Sequence, residues 1–322
     1  MLDVSIIIVT WNALDHVDAC LAAIRDGGAD GVAHEVIVVD NASTDSTVAH
    51  VRSTWPDVQV IATGRNGGMA AGNNVGMLAA KGRSFLLLNS DAFLEPGSLR
   101  RMLDRLDAAT DTTAAVVPRL QYPDGSPQRS VRGFPTTWRY ATEFLGIRKL
   151  APRTQLLNAF YAGGLDLRAP QDVDWATGAC LLVPRAAVDE VGLMDEAFFM
   201  YGEEVDWLWR MRDRGRRVAW EPGALVVHVG GGSSQQTRGA LYQRQLANHV
   251  RTMSLHAGVG AARRTRWIML LALRLRALLL PAGRREAARA GVATVRATDP
   301  RHPEAAVIPS WPALEQEAAA PR

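Results

Sequence analysis

The chain has 322 residues, 48% of them hydrophobic and 21% charged, with 36 basic against 33 acidic side chains. That length suits one large α/β domain, or one domain with an appendage, and a formal charge of +3 is too small to argue for nucleic acid. The two cysteines, Cys20 and Cys180, each sit inside an apolar pattern, which argues against a disulfide framework or a thiolate metal centre and fits a reducing cytosol.

The run from Val4 to Val9 is too short for a signal-peptide core or a membrane span and reads as the first strand, ending in Thr10-Trp11-Asn12. Val17, Cys20, Leu21 and Ile24 then recur at helical spacing until Gly27 and Gly28 stop the helix. A second strand, Glu35 to Val39, breaks abruptly at Asp40. Asn41, Ser43, Thr44, Asp45 and Ser46 follow, side chains that stabilise turns and cap helices, and the next helix turns Val48 and Val51 inward. In open parallel sheets ligands sit beyond the carboxyl ends of strands, so a ligand-contacting acid is expected at Asp40. The alternative is a carboxylate that only caps the following helix.

A third strand, Val58 to Ala62, leads to Arg65-Asn66-Gly-Gly-Met-Ala-Ala-Gly72-Asn73-Asn74-Val-Gly76. Its small residues let the backbone approach a ligand or let a helix pack closely on the sheet. The spacing is not Gly-x-Gly-x-x-Gly, so a dinucleotide-binding reading is weak. The fourth strand, Phe85 to Leu88, ends in Asn89-Ser90-Asp91, where oxygen ligands at i and i+2 can face one ligand. A hard divalent cation bridging a diphosphate takes one or two such groups; an ordinary polar turn is the other reading. Leu99, Met102, Leu103 and Leu106 make a one-faced helix, and Val116-Val117 opens a further strand. This alternation predicts an α/β fold, a doubly wound, mostly parallel sheet with helices on both faces.

From Arg119 to Pro170 the periodicity weakens, which predicts irregular structure over the site. Regular structure resumes at Trp175, with strands at Cys180 to Val183 and Ala224 to Val229 and a helix from Glu203 to Arg214, acids first and arginines last. Glu203 and Glu204 follow Phe198-Phe-Met-Tyr-Gly202. A glutamate among apolar side chains can have a raised pKa and act as a general base; a helix N-terminal acid is the plainer reading. His228, at a strand end before Val229-Gly-Gly-Gly-Ser-Ser234, is a structural residue or a metal ligand. Arg263, Arg264, Arg266, Arg274, Arg276, Arg284 and Arg285 lie in one stretch without an intervening acid. Within it, Trp267 to Leu280 is strongly apolar yet too short to span a bilayer. It suits a helix lying on an anionic inner-leaflet membrane surface, or one packed on the catalytic domain or in a homodimer. After Asp299, Pro and Ala accumulate and a poorly ordered tail, 299–322, is expected.

Six segments carry a resemblance by their order: Val9-Thr-Trp-Asn12, Val38-Val-Asp-Asn-Ala-Ser43, Asn66 to Gly76, Leu86-Leu-Leu-Asn-Ser-Asp91, Trp175-Ala-Thr-Gly-Ala-Cys180, and Phe198-Phe-Met-Tyr-Gly-Glu-Glu-Val-Asp206. Over about residues 3 to 255 the chain resembles glycosyltransferase family 2, the inverting enzymes of GT-A fold, and within it the rhamnosyltransferase-like branch. The resemblance implies a catalytic domain over 1–255, with a nucleotide-sugar half of about 1–118 and an acceptor half of about 119–255; the basic, apolar helical segment read above follows it over 256–298. It implies that Asp40 contacts the imide of a uracil or thymine base, with Thr10, Asn12, Asn66, Asn73 and Ser90 also in the nucleotide site. Asp91, with Asn89 and His228, would hold Mg²⁺ or Mn²⁺; Trp175, Thr177, Gly178 and Asp206 would face the acceptor. Of the pair Glu203 and Glu204, the second would be the catalytic base.

Two departures stand out: Asn89 replaces the first aspartate of the common Asp-x-Asp, and Glu204 stands where aspartate is usual. Arg129-Ser-Val-Arg-Gly-Phe-Pro-Thr136 resembles a segment of the rhamnosyltransferase-like members and suggests dTDP-rhamnose as donor. The expected partners are a nucleotide-sugar donor and a lipid-linked or oligosaccharide acceptor, met by a cytoplasmic protein on the inner face of the cell membrane. The alternatives are a transferase of another nucleotide sugar and a non-catalytic module that binds nucleotide sugar or lipid.

Overall fold

The computed structural model describes residues 2–230 and 238–302. These divide into two compact units: 2–132, 166–199 and 203–230 form the first, and 133–165, 200–202 and 238–302 the second.

The first unit begins with β1 (Val4–Thr10), α1 (Leu14–Ala23), β2 (His34–Asp40), α2 (Thr47–Thr54), β3 (Gln59–Ala62), α3 (Gly68–Ala79) and β4 (Ser84–Asn89). Strands β1 to β4 are parallel, in the order β3-β2-β1-β4. Alternate residues of β1 serve opposite faces, as a period of two requires. Val4, Ile6 and Ile8 join Val17, Cys20 and Leu21 of α1 in one core. Ile7 and Val9 meet α3 instead, where a Cβ on Gly76 would stand 2.3 Å from Ile7 Cγ2 and one on Gly72 would stand 2.7 Å from Val9 Cγ1. Of the two uses the sequence allowed for these glycines, close helix packing is the one realised.

The chain continues through β5 (Ala92–Leu94), α4 (Ser98–Asp107), β6 (Thr113–Gln121) and β7 (Val131–Arg132). After α5 (Thr137–Phe144) and α6 (Gln155–Asn158), both of the second unit, it returns through β8 (Gln171–Val173), β9 (Trp175–Ala176), β10 (Cys180–Pro184), α7 (Arg185–Val191), α8 (Glu203–Asp213) and β11 (Arg217–His228). The sheet runs on from β4 as β10-β6-β11-β5, with β8 also on β11. β10 is antiparallel to both β4 and β6, while β11 is parallel to β6 and antiparallel to β5 and β8. The sheet is therefore mixed, with helices on both faces. The apolar run Cys180 to Val183 is equally compatible with either strand direction, so its antiparallel placement left no trace in the sequence.

The stretch expected to be irregular, 119–170, contains two helices. α5 is short and built from indifferent helix formers such as Trp138, Tyr140, Thr142 and Phe144, so periodicity hides it; Thr136 caps it, accepting from Arg139 N–H at 3.1 Å. In the second unit α5 joins α9 (Arg238–Leu279) and α10 (Ala282–Ala297). α9 is two helical segments meeting at Gly258, whose φ of 80° and ψ of 163° lie outside the helical region. The boundary expected after residue 255 thus falls inside α9, three residues before that break. Leu246 from its first segment, Leu273 from its second and Gly291 of α10 meet closely. Met269, Leu270, Ala272 and Leu273 are buried among Tyr140, Phe144, Phe160 and Val295, so one side of the Trp267 to Leu280 segment packs on its own unit. Among the described residues no helix is long and apolar enough to cross a membrane. Residues 299–302 are held by a β-bridge between Asp299 and His302; the rest of the expected tail lies outside the described residues, as do 231–237.

A hydrogen bond between a buried tyrosine and a half-buried histidine sets a pH response here. The Tyr140 hydroxyl, kept protonated by burial, lies 2.8 Å from His249 Nδ1, and burial pushes that imidazole's pKa down to about 4. With the folded pKa below the ordinary 6.5, the unfolded chain takes up the proton first. The stabilisation is whole above about pH 6.5 and is lost as pH falls toward 4, about 3 kcal/mol in all. Denaturant unfolding across that window should show the loss in the wild type and a flatter curve in His249→Gln.

Candidate functional site

The parallel register places three predicted residues along one sheet edge: Thr10 pairs with Asp40, and Val9 with Asn89. Asp40 is 2% exposed, its Oδ2 accepts from Ser43 N–H at 2.9 Å, and its Oδ1 has no partner. Thr10 Oγ1 and Asn41 Oδ1 are buried and unpartnered beside it. Three such orphans at the ends of two adjacent strands would each cost about 1 to 3 kcal/mol if nothing met them, so this corner suits a ligand carrying hydrogen-bond donors. The helix-capping alternative fails for Asp40, because Asp45, not Asp40, accepts from the N–H and hydroxyl of Thr47 at the start of α2.

Other predicted residues hold this corner in shape. Asn12 Oδ1 accepts from Thr44 N–H at 2.7 Å and Asp45 N–H at 3.4 Å, and Asn12 N–H donates to Ser43 Oγ at 2.9 Å. Asn66 Oδ1 accepts from Gly68 N–H at 3.0 Å at the head of α3, and Asn73 is buried within that helix. Asn41, which the sequence reading did not single out as a site residue, donates through Nδ2 to Gly68 O at 3.0 Å and ties the turn after β2 to α3.

The structure brings Asn89, Asp91 and His228 together, with Ser90 buried between the first two. β5 pairs with β11 so that Ala92 faces His228, and Val229 N–H donates to Asp91 O at 3.0 Å. His228 Nε2 lies 3.3 Å from Asp91 Oδ1 and 3.5 Å from Asn89 Nδ2, while Nδ1 lies 2.7 Å from Gln128 Oε1. An amide oxygen only accepts, so Nδ1 donates to Gln128 and Nε2 is left facing the Asp91 carboxylate. A carboxylate oxygen and a ring nitrogen so close together could both turn to one cation, and a ligating imidazole that donates its other N–H to an oxygen acceptor is the usual supporting arrangement. Among the described residues no three His, Cys, Asp or Glu side chains cluster. The donor set is instead one carboxylate, one imidazole and one carboxamide, which fits a divalent cation completed by diphosphate and water. Gln128 stands 100 residues from His228, and nothing in the sequence pattern marked it.

The acids divide sharply. Glu203 is buried, its Oε2 lacks a partner, and its carboxyl is pushed well above 4.5, first by burial and then by the charge of Glu204. Both stand in the first turn of α8, where the dipole favours charge, but burial wins for Glu203. Glu204 is half-buried and lies under Gly178, where an added Cβ would stand 3.7 Å from Glu204 Cβ. Trp175 is buried in the β7-β9 ribbon, and Thr177 N–H donates to Ser130 O at 3.1 Å, which fixes Gly178 over the acid. Asp206 is buried in an ion pair, accepting from Arg210 Nε at 3.0 Å, and Arg210 in turn holds the carbonyls of Val191 and Leu193. Asn74 pins the neighbouring loop through Met194 and Glu196.

Glu203 therefore binds a proton that the unfolded chain releases above about pH 4.5. Its contribution to stability is whole below that pH and declines as pH rises toward the folded pKa. Glu203→Gln removes the loss: the variant should melt level with the wild type near pH 4.5 and increasingly above it as pH rises from there.

The sequence profile of Glycosyl transferase family 2 matches residues 5–165. An N-acetylglucosaminyl-diphospho-decaprenol L-rhamnosyltransferase of Mycobacterium tuberculosis is 29% identical over 234 residues, 69% of this chain and 75% of the relative. The low-salt glycan biosynthesis hexosyltransferase Agl10 of Haloferax volcanii is 27% identical over 214 residues, 65% of this chain and 62% of the relative. Among solved structures, a mannosyltransferase from Pyrobaculum calidifontis in complex with GDP-Man and Mn²⁺ superposes with a TM-score of 0.54 at 17% identity, over 99% of this chain and 87% of that one. TarS 1-349 of S. aureus in complex with UDP-GlcNAc gives 0.54 at 15% identity, over 98% and 88%. The structural likenesses speak to the GT-A fold, and the profile spans half the chain including Asp40 and Asp91; the chain belongs to glycosyl transferase family 2.

Proposed function

We propose that the chain is an inverting rhamnosyltransferase that moves L-rhamnose from dTDP-rhamnose to a hydroxyl of a lipid-diphosphate-linked saccharide at the inner face of the cell membrane, in cell-envelope polysaccharide assembly. The observation that carries the transferase reading is the pairing, on one sheet edge, of the orphaned Asp40 Oδ1 with the cluster of Asn89, Asp91 and His228. The sugar and the acceptor class are supported by the name of the Mycobacterium tuberculosis relative.

Asp40 accepts from the base imide, with Thr10, Asn12, Asn66, Asn73 and Ser90 shaping the nucleotide site. Asp91, Asn89 and His228 would hold Mg²⁺ or Mn²⁺, which when bound neutralises charge on the diphosphate. Trp175, Thr177, Gly178 and Asp206 border the acceptor. Glu204 takes the proton of the acceptor hydroxyl as its oxygen bonds to the anomeric carbon and the bond from that carbon to the diphosphate oxygen breaks. Glu203, whose charged form is disfavoured by burial and then by Glu204, is not assigned that role. Attack opposite the leaving group inverts the anomeric configuration. Release of nucleoside diphosphate from dTDP-rhamnose, with Mg²⁺ and a short polyprenyl-diphosphate-N-acetylglucosamine, should be acceptor-dependent, and NMR of the product should show inversion. Retained configuration would sink the mechanism, and release from a different nucleotide sugar alone would replace rhamnose.

A further inference from the structure

We propose that the outward stripe of the second segment of α9, formed by Trp267, Leu271, Leu275 and Leu278 and flanked by Arg263, Arg264 and Arg274, is the face by which this chain lies on an anionic lipid bilayer. Thirteen large hydrophobic side chains are exposed among the described residues, and eleven of them belong to the second unit, against Leu78 and Tyr122 of the first. Trp267 is 65% exposed and Leu278 72%. With Leu271 and Leu275 they fall at i, i+4, i+8 and i+11, one face of a helix, and Leu279 extends the exposed apolar surface to a length of about 18 Å. The helix does not need this face in order to fold, because its opposite side already packs through Met269, Leu270, Ala272 and Leu273.

The charges are sorted in the same way. Arg266 turns inward to the carbonyls of Val295 and Arg296, and Arg276 donates to Phe144 O at 2.7 Å. The exposed arginines of the segment, Arg263, Arg264 and Arg274, are those beside the leucines. No acidic residue occurs between Glu221 and Glu286. A second copy of the chain on this stripe would bring arginines together with no carboxylate on the face to meet them. Anionic headgroups meet them directly while leucine and tryptophan enter the acyl boundary, and the segment is too short to cross. The proposal deepens the lipid-linked-acceptor reading and rests on it for the identity of the cellular membrane.

The test is co-sedimentation of the full chain with vesicles of phosphatidylcholine containing about one third phosphatidylglycerol, against phosphatidylcholine alone, with transfer to a soluble short-chain acceptor measured in parallel. The wild type should prefer the anionic vesicles. Trp267→Glu with Leu278→Glu should bind at least tenfold more weakly, and Arg263→Gln with Arg274→Gln should lose about fivefold per arginine on anionic vesicles only. Unchanged turnover on the soluble acceptor shows that each variant is folded. Equal vesicle binding by the double glutamate variant, absence of wild-type binding, or a wild-type dimer that the same variant dissolves would each overturn the assignment. Vesicle binding by a wild type that transfers no sugar to any acceptor would overturn the transferase reading and leave this surface standing.

Discussion

Glu204→Gln is expected to lower turnover by about 10² to 10⁴-fold, the span typical of losing a positioned general base, while nucleoside diphosphate binds as before. The substitution keeps the volume beside Gly178 and removes only the carboxylate's ability to take a proton. The neighbouring acid is not expected to compensate, since Glu203 is buried and its charged form is disfavoured by that burial and then by Glu204. Binding is spared because Asp40 ends β2 and Asp91 lies in the turn between β4 and β5, whereas Glu204 stands at the start of α8. Diphosphate release followed alongside calorimetric nucleotide binding separates the two effects. If both fell together Glu204 would be a binding residue, and if neither fell the chain would be a binding module. Glu204→Asp restores the acid usual in the family and should turn over faster than the glutamine variant.

Gly68→Ala is expected to be the most destabilising small substitution in the first unit. Gly68 has φ of 82°, and an added Cβ would stand 2.1 Å from Phe199 O and 2.7 Å from its carbonyl carbon, both backbone atoms that cannot swing away. The adjacent Met69 N–H donates to that same oxygen at 2.7 Å, so relief by moving Phe199 breaks a hydrogen bond. Left-handed strain and overpacking together amount to about 2 to 5 kcal/mol, which lowers the melting temperature by roughly 5 to 15 °C. Gly64→Ala is the control: its φ is 72° but nothing lies within 4 Å of the added carbon, so it should show the backbone strain alone, about 1 kcal/mol. Melting curves that coincide for the two variants would refute the clash.

The two variants also mark what a single sequence can and cannot reveal. Asp40 was legible because an apolar run ending in an acid is a one-dimensional signal of a strand reaching a sheet edge. Asn89-Ser90-Asp91 was legible for the same reason, and the order of the segments gave the family. Gln128 was not, because its role exists only once β5 and β11 have brought His228 beside Asp91. Nor does a sequence show which of two adjacent glutamates is buried, since Glu203 and Glu204 differ only in the direction each leaves α8. Asn12 Oδ1 accepts from the turn after β2 and Asp206 Oδ2 from Arg210, contacts within the fold that the spacing of these residues did not announce. A polar residue near a site can serve its shape as well as its ligand, and spacing does not distinguish the two.

The antiparallel placement of β10 has a consequence for synthesis. Its partner β4 ends at Asn89, whereas β10 begins at Cys180, so the ribosome adds some ninety residues between one edge and its cover. At typical translation rates that interval is roughly 5 to 20 s, during which Phe85 to Leu88 would end a nascent four-stranded sheet with its amide and carbonyl groups bare. Translation pauses before codon 180 should raise the yield of aggregated chain, and a holdase acting on the nascent polypeptide should matter most in that window.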